Sequence, residues 1–450
     1  MPHRIIDNPI IHFIPGFQIN WLDFCYFYFN AKTQNMKKIT IGLLLSFIFL
    51  GCEKYNEPDR PVVPGDPVII STELYQKEVI DSANRFAIDL FKPVIADAKG
   101  EENIMISPFS ITSALSMTLN GAAGETLDAM KKALRMEGKS LEQINETYLK
   151  LMTEMVPVDK LVTLEIANSV WVERRLILKQ DFISTLQQWY KADVFDIDVA
   201  APGAVDMVNN WIADKTHDKI TDMLDNLDPD LAMLLINAIY FNGKWRYQFN
   251  KADTREDSFY VTPDAPVNVP MMHQEQNFQA ARLTNLTIID IPYGQGNYSM
   301  LVVLPDAGIK TSELAQNLTQ AEWNEWLETL ANNTTLNVKL SMPKFKYGYK
   351  RLLNDDLAAL GMGIAFTGMA DFSNISDQGL EISRVIHQSF IETNEEGTEA
   401  AAATIVEIRF TSVNPDPMVV NIDRPFLYFI HEISTGTILF MGRVSDPSTE

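Results

Sequence analysis

Cysteine is nearly absent from this 450-residue chain: only Cys25 and Cys52 occur, both close to its beginning. They cannot supply a disulfide framework or a thiolate metal site for the rest of the chain. The six histidines show no ligand-type spacing, so neither a metal nor a cofactor is expected. Positive charge is also scarce. Lys and Arg total 37 against 59 Asp and Glu, a net charge of −22, which argues against a nucleic-acid surface or a polyanion site. Signatures of catalysis are missing as well: there is no nucleophile elbow, no Walker sequence and no paired-histidine helix. Gly294-Gln295-Gly296-Asn297 lacks a third glycine and runs into a strand pattern, which makes it a turn. Gly361-Met362-Gly363 fails the same test. The chain is not expected to be an enzyme.

No apolar run is long enough to cross a bilayer, which takes about twenty residues. The longest candidate is the thirteen-residue ITIGLLLSFIFLG that follows Met36-Lys37-Lys38 and ends at Cys52. A basic start, a short apolar stretch and Phe49-Leu50-Gly51-Cys52 in the lipobox position resemble a bacterial lipoprotein signal peptide. An uncleaved anchor helix is the alternative. The resemblance implies that residues 1–51 are removed, that the true start is Met36, and that Cys52 carries the lipid. Glu53, where inner-membrane retention would favour Asp, points to the outer membrane, facing the periplasm or the cell surface. Processing would remove Arg4, Lys32, Lys37 and Lys38 against Asp7 and Asp23, so the charge becomes −22 − 2 = −24. Residues 52–70 then form a tether. Pro58, Pro61, Pro64 and Pro67, one every third residue, suit an extended polyproline spacer.

Residues 71–450 read as one large domain with an α+β architecture, because helical patterns cluster early and strand patterns late. Ala83, Phe86, Ala87, Leu90, Phe91 and Val94 share a helical face. Ser107-Pro108 offers an N-cap and a first-turn proline. A third helix is expected after Gly124, with others near 141–155, 178–190 and 203–214. Leu164 to Val172 alternate as a strand. The runs at 231–241, 298–304 and 335–346 are apolar strand candidates, and 418–423, 426–433 and 437–443 close the chain as three more.

The segment Asn394–Ser412 (NEEGTEAAAATIVEIRFTS) stands apart. Ala400, Ala401, Ala402 and Ala403 are strong helix formers, and Thr398 could cap a helix over 399–408. Yet residues 398, 400, 402, 404, 406, 408 and 410 are uncharged, while Glu399, Glu407 and Arg409 share the opposite parity. That alternation suits a strand with one buried side. Local pattern alone leaves both readings open.

Motifs around it resolve the ambiguity. Glu395-Glu396-Gly397-Thr398-Glu399 followed by Ala400–Ala403 is similar to the hinge of inhibitory serpins, a family of suicide inhibitors of proteases. Asn103–Thr126, Phe241-Asn242-Gly243-Lys244-Trp245 with Phe249, Val269-Pro270-Met271-Met272, Met342-Pro343-Lys344-Phe345, Asp371-Phe372-Ser373 and Ile422-Asp423-Arg424-Pro425-Phe426-Leu427 resemble other family motifs in the family order. The likeness runs from about 80 to 447. It implies a single serpin domain with three β-sheets, eight or nine helices and an exposed reactive loop at about 394–418. In that family a protease attacks the loop, becomes acylated and is trapped when the loop inserts into the main sheet. Family spacing implies a reactive bond at Thr411–Ser412, which suits elastase-like proteases. Phe410 would suit papain-like cysteine proteases, and cleavage after Phe410 or Arg409 remains open.

The resemblance further implies that Ser107, Ser110, Asn237 and His387 form a polar cluster beneath the main sheet (the shutter), and that Trp245 packs where the loop first enters (the breach). The expected partner is a target protease in a covalent complex, met by a monomer whose only membrane contact is its lipid. The alternative reading is a non-inhibitory serpin acting as a binding or chaperone module.

Overall fold

The computed structural model describes residues 65–98, 102–398 and 416–449. The expected signal peptide, Cys52, the hinge residues Glu399–Ala403 and the candidate cleavage sites Arg409, Phe410, Thr411 and Ser412 lie outside them. So does the choice between helix and strand over 399–410.

Helix α1 (Leu74–Asp97) buries Phe86, Ala87, Leu90, Phe91 and Val94, the face read from their spacing. Strand β1 (Ile104–Ile106) leads to α2 (Pro108–Leu119). The Ser107 side chain caps α2 by accepting from the Ser110 amide, and Pro108 occupies the first turn, where its missing N–H costs nothing. Next come α3 (Gly124–Ala133) and α4 (Leu141–Val158), the latter opened by a reciprocal capping box between Ser140 and Gln143. Strand β2 (Val162–Glu173), helix α5 (Gln180–Tyr190), strand β3 (Asp193–Ile197), helix α6 (Ala204–Lys215) and strand β4 (Met233–Lys244) complete the first half.

The second half is mostly strand: β5 (Arg255–Thr262), β6 (Ala265–Leu283), β7 (Leu286–Pro292) and β8 (Tyr298–Pro305). Helices α7 (Thr311–Asn317) and α8 (Gln320–Asn332) follow, then β9 (Leu336–Pro343) and β10 (Phe345–Leu352). The expected strand at 335–346 is thus two, broken at Lys344. A one-turn helix α9 (Asn354–Leu357) precedes β11 (Ile386–Thr393) and the two-residue β12 (Gly397–Thr398). Strands β13 (Met418–Asn421), β14 (Phe426–Glu432) and β15 (Ile438–Val444) match the last three sequence candidates.

The main sheet has six strands in the order β10-β11-β12-β4-β2-β3. A second assembly runs β1-β15-β14-β8-β7-β6-β9-β13, with β5 on β6. The second and third expected sheets share the 19-residue β6, which pairs β5 and β9 early and β7 late. Helix α6 covers the outer face of the main sheet, where Val208 and Ile212 join Trp171 and Ile236 in a small apolar cluster. The larger core fills the space between the sheets and helices α1, α2 and α4.

One seam in the main sheet is incomplete. Strand β12 is antiparallel to both β11 and β4, so those two run parallel to each other. Below it, β4 and β11 frame a cavity of about 560 Å³ lined by Met233, Leu235, Asn237, Ile386 and His387, with Ser110 of α2 beneath.

Candidate functional site

At the closed end of this seam Asn394 to Gly397 make a tight hairpin. The Asn394 amide donates to the Gly397 carbonyl at 2.9 Å, and the Glu396 amide to Asn394 Oδ1 at 2.9 Å. Gly397 pairs with Lys244 and Thr398 with Gly243, while Thr393 faces Thr398 across β11. Gly397 has φ +153°, and a Cβ placed there would stand 2.1 Å from the Gly243 carbonyl oxygen. Only glycine lets the hinge backbone approach β4 so closely.

Trp245 holds the hairpin from the side. Its indole N–H donates to the Asn394 carbonyl at 2.9 Å and its amide to the Glu396 carbonyl at 2.8 Å. The buried ring stacks on Tyr293, centroids 4.4 Å apart and nearly parallel. The Tyr293 hydroxyl meets Thr398 Oγ1 at 2.6 Å. Burial pushes that phenol well above its ordinary range, so it stays protonated. Thr398, the first residue of the uncharged set in the loop, is itself buried.

The two acidic hinge residues are each paired. Lys344 lies 3.0 Å from Glu395, which also accepts from Thr254 Oγ1 at 2.9 Å. Burial pushes the Glu395 carboxyl up, but hydrogen bonds from the backbone, Lys344 and Thr254 outweigh it and hold it below the usual range. Lys251 pairs with Glu396. The Phe249 amide donates to the Glu395 carbonyl at 2.9 Å. The sequence names Trp245 and residues 395–398 as candidates but marks neither Tyr293, Thr254 nor Lys251, and it gives Lys344 no partner. Of these only Lys344 lies in a motif read from the sequence, Met342-Pro343-Lys344-Phe345.

Ser107, Ser110, Asn237 and His387 do come together at the far side of the cavity. His387 Nε2 accepts from the Ser107 amide at 3.1 Å, and the Ser107 hydroxyl donates to the Leu439 carbonyl at 2.8 Å. Ser110 Oγ donates to the Asn237 carbonyl at 3.2 Å. The Asn237 amide group donates to Asn168 Oδ1 at 2.8 Å, and Asn168 to the Tyr190 carbonyl at 2.7 Å. Asn168, read only as one position of a strand, is therefore a fifth member.

Complete burial lowers the His387 pKa to about 4, so the ring is neutral at physiological pH. The imidazole accepts from a backbone amide, and each serine hydroxyl is spent on a carbonyl. Neither serine is bonded through its hydroxyl to the histidine, as an activated nucleophile requires. The cluster ties α2 to β4, β11 and β15.

A model of the family "Serpin (serine protease inhibitor)" matches residues 81–447. An uncharacterised serpin-like protein of Methanosarcina acetivorans is 35% identical over 435 residues, 92% of this chain and 100% of that one. Among solved structures, the thermophilic serpin tengpin in its native state is similar at 34% identity and TM-score 0.75, over 85% of this chain and 97% of that one. Human thyroxine-binding globulin is similar at 27% identity and TM-score 0.76, over 83% of this chain and 100% of that one. By this family match and these relatives the chain belongs to the serpin family, whose members generally inhibit proteases.

Proposed function

We propose that this serpin is itself an inhibitor that traps proteases by inserting its cleaved loop between β4 and β11. The observation that carries the reading is the hinge: Gly397 and Thr398 already stand as a strand between β4 and β11, above a cavity bounded by the same two strands. A strand that enters there adds ladder bonds on both edges.

The loop is cut as a substrate, and the protease is held as an acyl-enzyme on the residue before the reactive bond. We assign that bond to Thr411–Ser412, with cleavage after Phe410 or Arg409 as the other outcomes to be read. Insertion of Glu399 and its successors then carries the acylated protease along the seam. Slowing deacylation a millionfold takes about 8 kcal/mol. Burial of Val406, Ile408 and Phe410 contributes about 1.5–3 kcal/mol each, and the new hydrogen bonds about 0.5–1.5 kcal/mol each, so the driving force is of the right size. Serine proteases are the principal targets and papain-like cysteine proteases the second class. The protein works as a monomer, exported and held by a lipid on Cys52.

Incubation with trypsin, chymotrypsin, elastase, subtilisin and papain tests this. A one-to-one adduct that survives SDS, with mass spectrometry of the released C-terminal peptide locating the cut, is the expected result. Cleavage without adduct and without a rise in thermal stability would instead make the protein a non-inhibitory serpin acting as a binding or chaperone module. Loss of membrane association in a Cys52→Ser variant tests the anchor.

A further inference from the structure

The segment before α1 does not hang free of the domain. Arg246 Nη1 donates to the Gly65 carbonyl at 3.1 Å. The buried amide of Asn297 binds Val68 from both sides, accepting from its N–H at 3.1 Å and donating to its carbonyl. The Ile70 amide donates to Ser434 Oγ at 3.0 Å, and Ser434 is held in turn by the buried carboxylate of Glu432 at 2.7 Å. Residues 65–70, assigned to the tether from sequence, are thus pinned to the domain.

Where they are pinned matters. Arg246 follows Trp245, the residue whose indole and amide hold the hinge carbonyls of Asn394 and Glu396. The N-terminal chain therefore joins the domain at the same end of the main sheet as the root of the reactive loop. The other end of the seam is the start of β4 at Met233, the first of the twelve residues that end at Lys244, or roughly 40 Å at the usual strand rise.

We infer that the anchored protein keeps its reactive loop in a thin layer next to its own membrane, and that its partners are proteases working at that membrane surface. The inference rests on the proposed lipid at Cys52 and the proposed insertion. From Cys52 to Gly65 is 65 − 52 = 13 residues, which span at most about 45 Å when fully extended. However the domain tilts about this tether, Gly65 and the neighbouring hinge stay within that reach. The Met233 end is free to swing farther out. Insertion moves the acylated residue from the hinge end toward the Met233 end, so capture carries the protease away from the membrane.

Energy transfer from a labelled loop to a dye in the lipid headgroups tests this on the full lipidated protein in vesicles. Processing leaves no free thiol, so Glu407→Cys, upstream of every candidate bond, reports the loop, and the exposed Asp230→Cys reports the opposite end. Stronger transfer from position 407 than from 230 is expected, with the difference erased when thirty Gly/Ser residues are inserted between Cys52 and Gly65. Cutting by a trapped protease should then lower transfer from 407. Equal transfer from the two labels in protein that floats with the vesicles overturns the inference and leaves the anchor standing. Protein that does not float overturns both. Transfer from 407 that persists after an SDS-stable adduct forms overturns the outward movement while leaving inhibition intact.

Discussion

The two halves of the β4–β11 seam are built on opposite rules. At the hinge end every backbone group of the 394–397 hairpin that the structure pairs is tied to Trp245, Phe249, β4 or its own turn, and both acids face a lysine. At the shutter end the strands stand around a cavity, and the polar groups turn inward to α2 and β15. Order at one end and room at the other is the arrangement that the proposed insertion requires. A cavity also means atoms without packing partners, which is a cost in stability. Insertion would recover it.

The largest effect is expected from Thr398→Arg. Thr398 already stands buried beside Tyr293, so an arginine there must either force β12 out of the sheet or bury an unpaired cation at a desolvation cost of several kcal/mol. The variant should be cut at the normal rate yet form almost no SDS-stable adduct on a gel, and full retention of adduct would remove the basis for strand insertion.

Acid should act next, and at the other half. His387 is neutral when folded, with a pKa of about 4 against 6.5 for the free side chain. The unfolded chain therefore binds the extra proton first, and stability falls as pH drops from about 6.5 to 4, by about 3 kcal/mol in all. Below that window both states are charged and the loss stops growing. Thermal denaturation across this range should show a smaller acid loss in His387→Gln than in the parent. An unchanged pH profile would assign the loss to other groups.

Gly397→Ala tests the closeness of hinge and β4. The added methyl must displace the Gly243 carbonyl, an overpacking worth about 1–3 kcal/mol. A lower melting temperature and greater proteolytic access at 394–398 are the readouts. The smallest change belongs to Lys344→Ala. Lys344 is about a third exposed, so solvent screening limits the pair to about 1 kcal/mol or less. Because the Glu395 carboxyl is held below its usual range, its contribution is present at neutral pH and lost on acidification through that lowered pKa. In Lys344→Ala that part of the acid loss should shrink, visible as a small shift in the low-pH limb of the melting curve.

The sequence was most legible where structure is local. The Ser107 cap, the helical face of α1, and the final three strands follow from spacing and end-residues that act within a few positions. It was least legible where partners come from afar. Tyr293 reaches Thr398 across 105 positions and Asn237 reaches Asn168 across 69, and no periodicity marks either pair. Lys344 carried a motif but no hint of its acid. The docking of residues 65–70 was hidden because a proline spacer reads as extended whether it is bound or free.

By itself the sequence determined the α+β class, the clustering of helices early and strands late, and the alternation that separates an uncharged loop face from a charged one. These depend on backbone period and side-chain type, which are properties of neighbours in the chain. Only the tertiary structure decided that Gly397 and Thr398 stand between β4 and β11, that His387 accepts a hydrogen bond from a backbone amide and not from a serine hydroxyl, and that residues 65–70 meet the domain beside the 394–397 hairpin. Each depends on the path by which distant segments meet, and on the exclusion of water once they do.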